Sequence, residues 1–302
     1  MAKQHLLLGQ ETLSIQDHAV RICHRLAGYD FPWDLTRSLE LAVLKTFCAP
    51  RISRLLRETG EFTQRPQKRY DDTTLILGNV LKWGYDSPQG KTAIARMNRI
   101  HKRFDILNED FLYVLSTAIY EPVHWNQRFG WRPFTEVEKQ ALFNFWRVVG
   151  QRMEIQDIPS SYERFEQFNR AYEAKYFHYH ADNAAVGNAV IKLMQSWFPA
   201  IAAPLVPLAV KAVADEPMCK ALGWNKPNPA INRSLLGGFR LSRKLARCLP
   251  HRQQTQFIVD RQTVTYPNGY EIHKLGPEGT EAAPSTSRCP FLKMRSFLKA
   301  DF

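Results

Sequence analysis

The residue in this sequence best placed to do chemistry is a histidine on an apolar helical face. Ile94, Met97, His101 and Phe104 follow one another at intervals of 3, 4 and 3, the spacing of a single face of an α-helix. Two readings of His101 stay open on spacing alone. It is a core histidine satisfied by its neighbours, or it is an axial ligand to haem iron, which needs a neutral ring nitrogen and apolar walls. A second candidate pair lies upstream. Arg69 and Thr73 are four residues apart and so share a helix face. They are either an ordinary polar helix start or a cation and a hydroxyl aimed into one site. In the second case the guanidinium can bind a carboxylate such as a haem propionate, or steady negative charge on dioxygen.

Other patterns carry less. Gly90-Lys91-Thr92 resembles the end of a phosphate-binding loop, but the preceding Gly84 is six positions away, one more than that loop allows, and the segment before it reads as helix. His178 and His180 flank Tyr179 without acidic or histidine partners nearby in the chain, so they read as structural. The stretch from Glu121-Pro122 through His124, Trp125, Arg128, Trp131 and Arg132 to Thr135 reads as a packed aromatic and charged loop between two helices. No Ser-His-Asp constellation is identifiable. The five cysteines, Cys23, Cys48, Cys219, Cys248 and Cys289, include no CxxC pair. With no export signal in view, they predict a reducing, cytoplasmic setting rather than a disulfide framework or zinc cluster.

The elements that would position these residues are helices. Leu35–Phe47 has helical apolar spacing, and Arg51–Leu56 continues it. Residues 63–69 read as a polar link before a helix from Asp71 to Trp83. Ser87-Pro88 is a helix start, and the helix it opens runs to about Phe104. Another begins after Asn108 and reaches Glu121-Pro122. Thr135 with Glu138, and Ser160 with Glu163, read as capping boxes. Val186–Phe198 and a Pro-broken apolar helix follow. Residues 255–275 alternate around Pro-Asn-Gly and read as extended chain or a loose hairpin. The expectation is an all-α body, one helical domain over residues 1–275, with a basic, partly extended C-terminal segment ending in a flexible basic tail over 276–302.

Charge is uneven. The chain has 302 residues and a net charge of +12; 14 basic and 5 acidic residues from Lys220 onward hold +9 of it. Within that segment Leu235, Phe239, Leu241 and Leu245 alternate with Arg240, Arg243, Lys244 and Arg247, a pattern that fits either an amphipathic helix in peripheral contact with an anionic membrane or a helix packed on the body. Hydrophobic content of 44% and charged content of 23% exclude global disorder, and no apolar run is long enough to span a bilayer.

Taken together, the run RYDDT, the helix with Met97-x-x-x-His101 and the block EPVHW…GWRPFT resemble the MpaB-type branch of the MpaB/rubber oxygenase family, over roughly residues 40–275. The resemblance implies a globin-like helical core and one haem b. It implies His101 as the proximal iron ligand, Met97 on the same motif helix, and Arg69 and Thr73 at the cofactor and the reacting centre. In the rubber-cleaving branch a lysine precedes the motif threonine and can cap the iron; here that position is Asp72, so no lysine-capped state is expected. Neither Glu58 nor Glu61 aligns with the family's distal Glu, and no distal acid is assigned. The function this implies is a haem-dependent oxygenase using dioxygen on a hydrophobic, isoprenoid or unsaturated substrate, by oxidative C=C cleavage or a related oxidation. Two alternatives stay open: a haem-binding sensor or carrier without turnover, and a basic helical nucleic-acid-binding protein. Nucleic acid is the weakest partner, because the aromatics sit at core spacing in the near-neutral body while the charge lies in the C-terminal segment.

Overall fold

The computed structural model describes residues 15–248 and 252–277. The tail from 278, including Cys289, and the side chains of Arg243 and Lys244 lie outside the described residues. The described chain is helical, with short 3-10 turns and no strand. Its helices are α1 Ile15–Arg25, α2 Pro32–Thr46, α3 Pro50–Glu58, α4 Glu61–Gln64, α5 Pro66–Trp83, α6 Pro88–His101, α7 Asn108–Phe129, α8 Glu136–Arg152, α9 Tyr162–Tyr176, α10 Ala181–Ser196, α11 Leu205–Val213, α12 Glu216–Leu222 and α13 Pro229–Arg247. Several starts are dictated locally. Ser87 Oγ accepts from the Gly90 amide at 2.9 Å, and Thr135 with Glu138 closes a reciprocal capping box, each satisfying amides that the first helical turn leaves unpaired. The phosphate-loop resemblance ends here, because Gly90, Lys91 and Thr92 are the third to fifth residues of α6.

Several expectations are corrected. The helix α1, unread in the sequence, packs against α8 and buries Ala19 and Cys23. The supposed link at 63–69 is mostly helix: Pro66 stands at the first position of α5, where its missing amide hydrogen costs nothing. The supposed loop after Pro122 continues α7 to Phe129. Pro122 forfeits one backbone bond, but the turns beyond it bury Val123, Trp125, Asn126 and Phe129, and that burial outweighs the lost bond. The cap of α9 is Ser161, bonded to the Arg164 amide, not Ser160. His180 has an acidic neighbour after all: it caps α10, its ring accepting from the Asp182 amide at 3.2 Å and lying 3.2 Å from the Asp182 carboxylate. Residues 255–275 form no hairpin strands but a strap with two 3-10 turns.

The strap lies across α5 and α6 and is bonded to both. Asp71 accepts from the Thr265 amide at 2.9 Å, Asn79 donates to Tyr270 at 2.9 Å, and Arg96 donates to the Leu275 carbonyl. Close approach requires Gly78: a Cβ there would stand 2.7 Å from Val259 Cγ1. The body beneath has two main apolar clusters. One runs through α1, α5, α6, α7 and α8; the other joins α2, α7, α10, α11 and α12 and receives Leu236 and Phe239 of α13. Cys23, Cys48 and Cys219 are buried thiols in these clusters. Among the described residues no helix is long and apolar enough to cross a membrane.

A buried ion cluster ties four segments together. Lys45 of α2 lies 2.8 Å from Glu121 of α7, 2.9 Å from Glu173 of α9 and 3.2 Å from Asp215, the cap of α12. Burial works against the ammonium charge, but the three carboxylates overcome it and hold the Lys45 pKa above its ordinary value. Lys45→Met would leave those carboxylates uncompensated. We expect a loss of about 3–5 kcal/mol in urea unfolding, partly recovered when Glu121→Gln and Glu173→Gln are added; an unchanged midpoint in Lys45→Met would refute the role.

Nearby, the Trp125 indole donates to Asp34 at 3.0 Å. Burial raises the Asp34 carboxyl from 3.8 to about 6, against the opposing effects of that bond and of Arg252. The folded state therefore holds this proton more tightly than the unfolded chain does. The resulting stabilisation is complete below about 3.8 and is lost as pH rises through about 6. Asp34→Asn removes the titration, so across that window its stability should rise relative to wild type, by roughly 3 kcal/mol. Parallel stability curves for the two proteins would contradict this.

Candidate active site

The Arg69 and Thr73 pair lies on the first turns of α5. The guanidinium donates to Thr73 Oγ1, and the Thr73 hydroxyl donates to the Arg69 carbonyl at 2.9 Å. The two side chains are thus one unit, with the hydroxyl fixing the direction of the cation. The Phe62 ring of α4 lies against the guanidinium, 5.0 Å from its centroid. No described carboxylate forms an ion pair with Arg69. Burial lowers its pKa, while Asp72 and Glu61 act in the opposite sense from a distance. Glu61 itself is buried and accepts from Arg65 at 2.6 Å; Glu58 is exposed.

His101 is the last residue of α6. Along the stripe read in the sequence, Ile94 is buried while Met97, His101 and Phe104 are half-buried. The stripe therefore runs from the core to an edge rather than staying inside. The imidazole packs edge-on to Phe111 at 5.2 Å. Burial, reinforced by the positive charge of Arg69, lowers its pKa from 6.5 to about 4. The ring is therefore neutral at neutral pH, and Arg69 is near enough to act on it. Its Nδ1 is buried without a hydrogen-bond partner, and no other described histidine has such an atom. His24 is engaged with the Lys82 carbonyl at 2.7 Å, His124 lies between Glu121 and Glu166, and His180 caps α10.

Asp72 points elsewhere. Its carboxylate is buried, taking Lys68 Nζ at 2.9 Å and the Tyr266 hydroxyl of the strap. Lys68 also reaches the Gly276 carbonyl at 2.7 Å, so the nearest lysine on α5 is committed to the strap. The fold thus brings Arg69, Thr73 and His101 together on the α5–α6 pair, with Met97 one turn before the imidazole. Phe62 and Phe111, which complete the surroundings, were missed in the sequence because neither carries a motif.

Residues 31–248 match the family model described as the catalytic domain of ER-bound oxygenase mpaB/B' and rubber oxygenase. The chain is 27% identical over 242 residues to a Penicillium brevicompactum protein named ER-bound oxygenase mpaB', covering 73% of this chain and 57% of that one. It is 26% identical over 225 residues to ER-bound oxygenase mpaB of Penicillium roqueforti, covering 68% and 75% respectively. A third relative, mpaB of Penicillium brevicompactum, is 29% identical over 179 residues, covering 53% and 45%. The match thus spans little more than half of the first of these relatives. The described strap from 252 onward lies beyond the matched region, although it grips the helix that carries the Arg69 and Thr73 motif. On the match to most of its length, the chain belongs to the MpaB/rubber oxygenase family.

Proposed function

We propose that this protein is an oxygenase, that it is haem-b-dependent, and that it uses dioxygen to oxidise a hydrophobic, unsaturated substrate of isoprenoid type, by cleavage of a C=C bond or a related oxidation. The observation that carries the reading is the neutral, unpartnered imidazole of His101 beside the unpaired guanidinium of Arg69. The described residues contain no group of three or more His, Cys, Asp or Glu placed to hold a metal ion. A metal joining His101 would therefore bring its other ligands with it, as porphyrin-bound iron does. The residues present fit such a group: an uncharged ring nitrogen, apolar neighbours and a nearby cation.

When bound, haem would supply an iron centre able to react with dioxygen. The chain's own contribution follows from the geometry. His101 would hold the iron, and its depressed pKa keeps the nitrogen lone pair free of protons at neutral pH. Arg69, denied a protein carboxylate, offers its remaining N–H groups to an anionic group such as a propionate, or to negative charge developing during reaction. Thr73 holds that cation in place. Phe62 and Phe111 limit water around the two charged or chargeable groups. Asp72 presents no amine and is bound by Lys68 and Tyr266, which supports an iron without a lysine cap. The relatives are named ER-bound, and we extend membrane association to this chain, in peripheral form, as a route to greasy substrates.

Purified protein should carry a haem Soret band. His101→Ala should lose haem while keeping its far-ultraviolet helical signal. Arg69→Ala should slow oxygen consumption with an unsaturated isoprenoid by about 100-fold, and Thr73→Ser, which keeps a hydroxyl, by much less. Unchanged haem content in His101→Ala would overturn the ligand assignment. Full haem loading with no oxygen consumption would leave a sensor or carrier instead.

A further inference from the structure

We infer that α13 docks the protein on an anionic phospholipid surface, with headgroup phosphates entering the cleft between α13 and the end of α7. This deepens the membrane part of the proposed function and is independent of haem. The cleft has a volume of about 570 Å³ and is bordered by Arg128, Arg240 and Arg247, with Phe129, Trp131 and Leu236 supplying its apolar wall. It shares Leu236 and Arg240 with an adjoining cleft of about 430 Å³ that adds Lys226 and Arg233. No acidic residue borders either cleft, and α13 contains none.

Arg233, Arg240 and Arg247 recur every seven residues and therefore form one stripe along the helix, about 21 Å long at 1.5 Å per residue. None of the three has an ion-pair partner among the described residues. Arg128 is committed to the Val213 carbonyl at 3.2 Å; burial lowers its pKa, Asp215 and Glu121 of the buried cluster oppose that shift, and Arg240 adds to it. Arg128 and Arg240 thus act on one another across a cleft that no acidic residue lines. A line of cations this long matches a plane of negative headgroups better than one compact ion.

The aliphatic side of α13 selects lipid over nucleic acid. Leu236 and Phe239 pack the helix onto the body, with Phe239 5.4 Å from Phe129. Beyond them, Ile231, Leu241 and Leu245 remain 45%, 57% and 62% exposed. The solvent-facing arc therefore carries arginines along one edge and aliphatic side chains along the other. Gly237 and Gly238 leave the backbone between unobstructed, with no atom within 4 Å of where a Cβ would stand. Exposed leucines gain nothing on a phosphodiester backbone but can enter the acyl boundary of a bilayer. The turn entering α11, which packs on α13, exposes Ile201 as well.

Sedimentation of the full chain with phosphatidylcholine vesicles, with and without phosphatidylserine, tests this. Binding should require phosphatidylserine and weaken with added salt. Arg240→Gln with Arg247→Gln should lower the apparent affinity about tenfold. Leu241→Ser with Leu245→Ser should leave low-salt binding but make the residual binding more salt-sensitive. All four side chains are substituted at the surface, and circular dichroism checks that the helices persist. Binding to anionic vesicles that both double variants leave unchanged would overturn the α13 surface while sparing membrane association. No binding to either vesicle would overturn both. Tight binding of a duplex oligonucleotide, with no vesicle binding, would assign the arginine stripe to nucleic acid instead. Haem loss in His101→Ala bears on none of these outcomes.

Discussion

The ammonium of Lys45, enclosed by Glu121, Glu173 and Asp215, is the contact on which most of the helix arrangement depends. A charge buried this deeply is tolerated only with its counter-charges in place. Satisfying it fixes α2, α7, α9 and the start of α12 in one relation. Tyr113 of α7 extends the cluster by donating to Glu173 at 3.2 Å. Arg51 strengthens the same junction from α3, 2.6 Å from Asp110 of α7. The long α7 continues as one helix through Pro122, and neighbours on several sides hold both halves.

The α5–α6 pair carries the candidate chemistry and is held from the other direction. The strap gives up its backbone and tyrosine hydroxyls to Asp71, Asp72, Asn79 and Arg96. These polar side chains are buried, and each is satisfied by a partner far along the chain, so the strap and the two helices specify one another. That division explains how Asp71 and Asp72, two and three positions along the chain from Arg69, do not pair with it. Their carboxylates are spent on the strap, and Arg69 keeps its charge for the site. His101 is left in the same condition, with a buried ring nitrogen and no bond. Buried polar groups left unsatisfied are uncommon, and each calls for an explanation such as a catalytic role or a bound group.

Charge segregates by role. Many ions of the body are paired, in the buried Lys45 cluster or in surface bridges, whereas the arginines of α13 line clefts that hold no acid. The same helix uses Leu236 and Phe239 to join the body, so one short sequence serves both as core and as surface.

Local signals were legible in the sequence alone. The starts of α6 and α8, the sharing of one face by Arg69 and Thr73, the stripe leading to His101 and the amphipathic character of α13 all depend on residues within about two turns of one another. What the tertiary structure decided depends on pairs far apart. The continuation of α7 past Pro122 follows from burial, which no local rule reports. Tyr266 and Asp72 are separated by 194 residues and Lys45 and Glu121 by 76, so no spacing could have announced either contact. Spacing placed His101 on an apolar face but could not say whether a neighbour satisfied its ring. Only the packed structure showed an imidazole without a partner beside a guanidinium without a carboxylate, because a missing partner is a property of the whole enclosure and not of any segment.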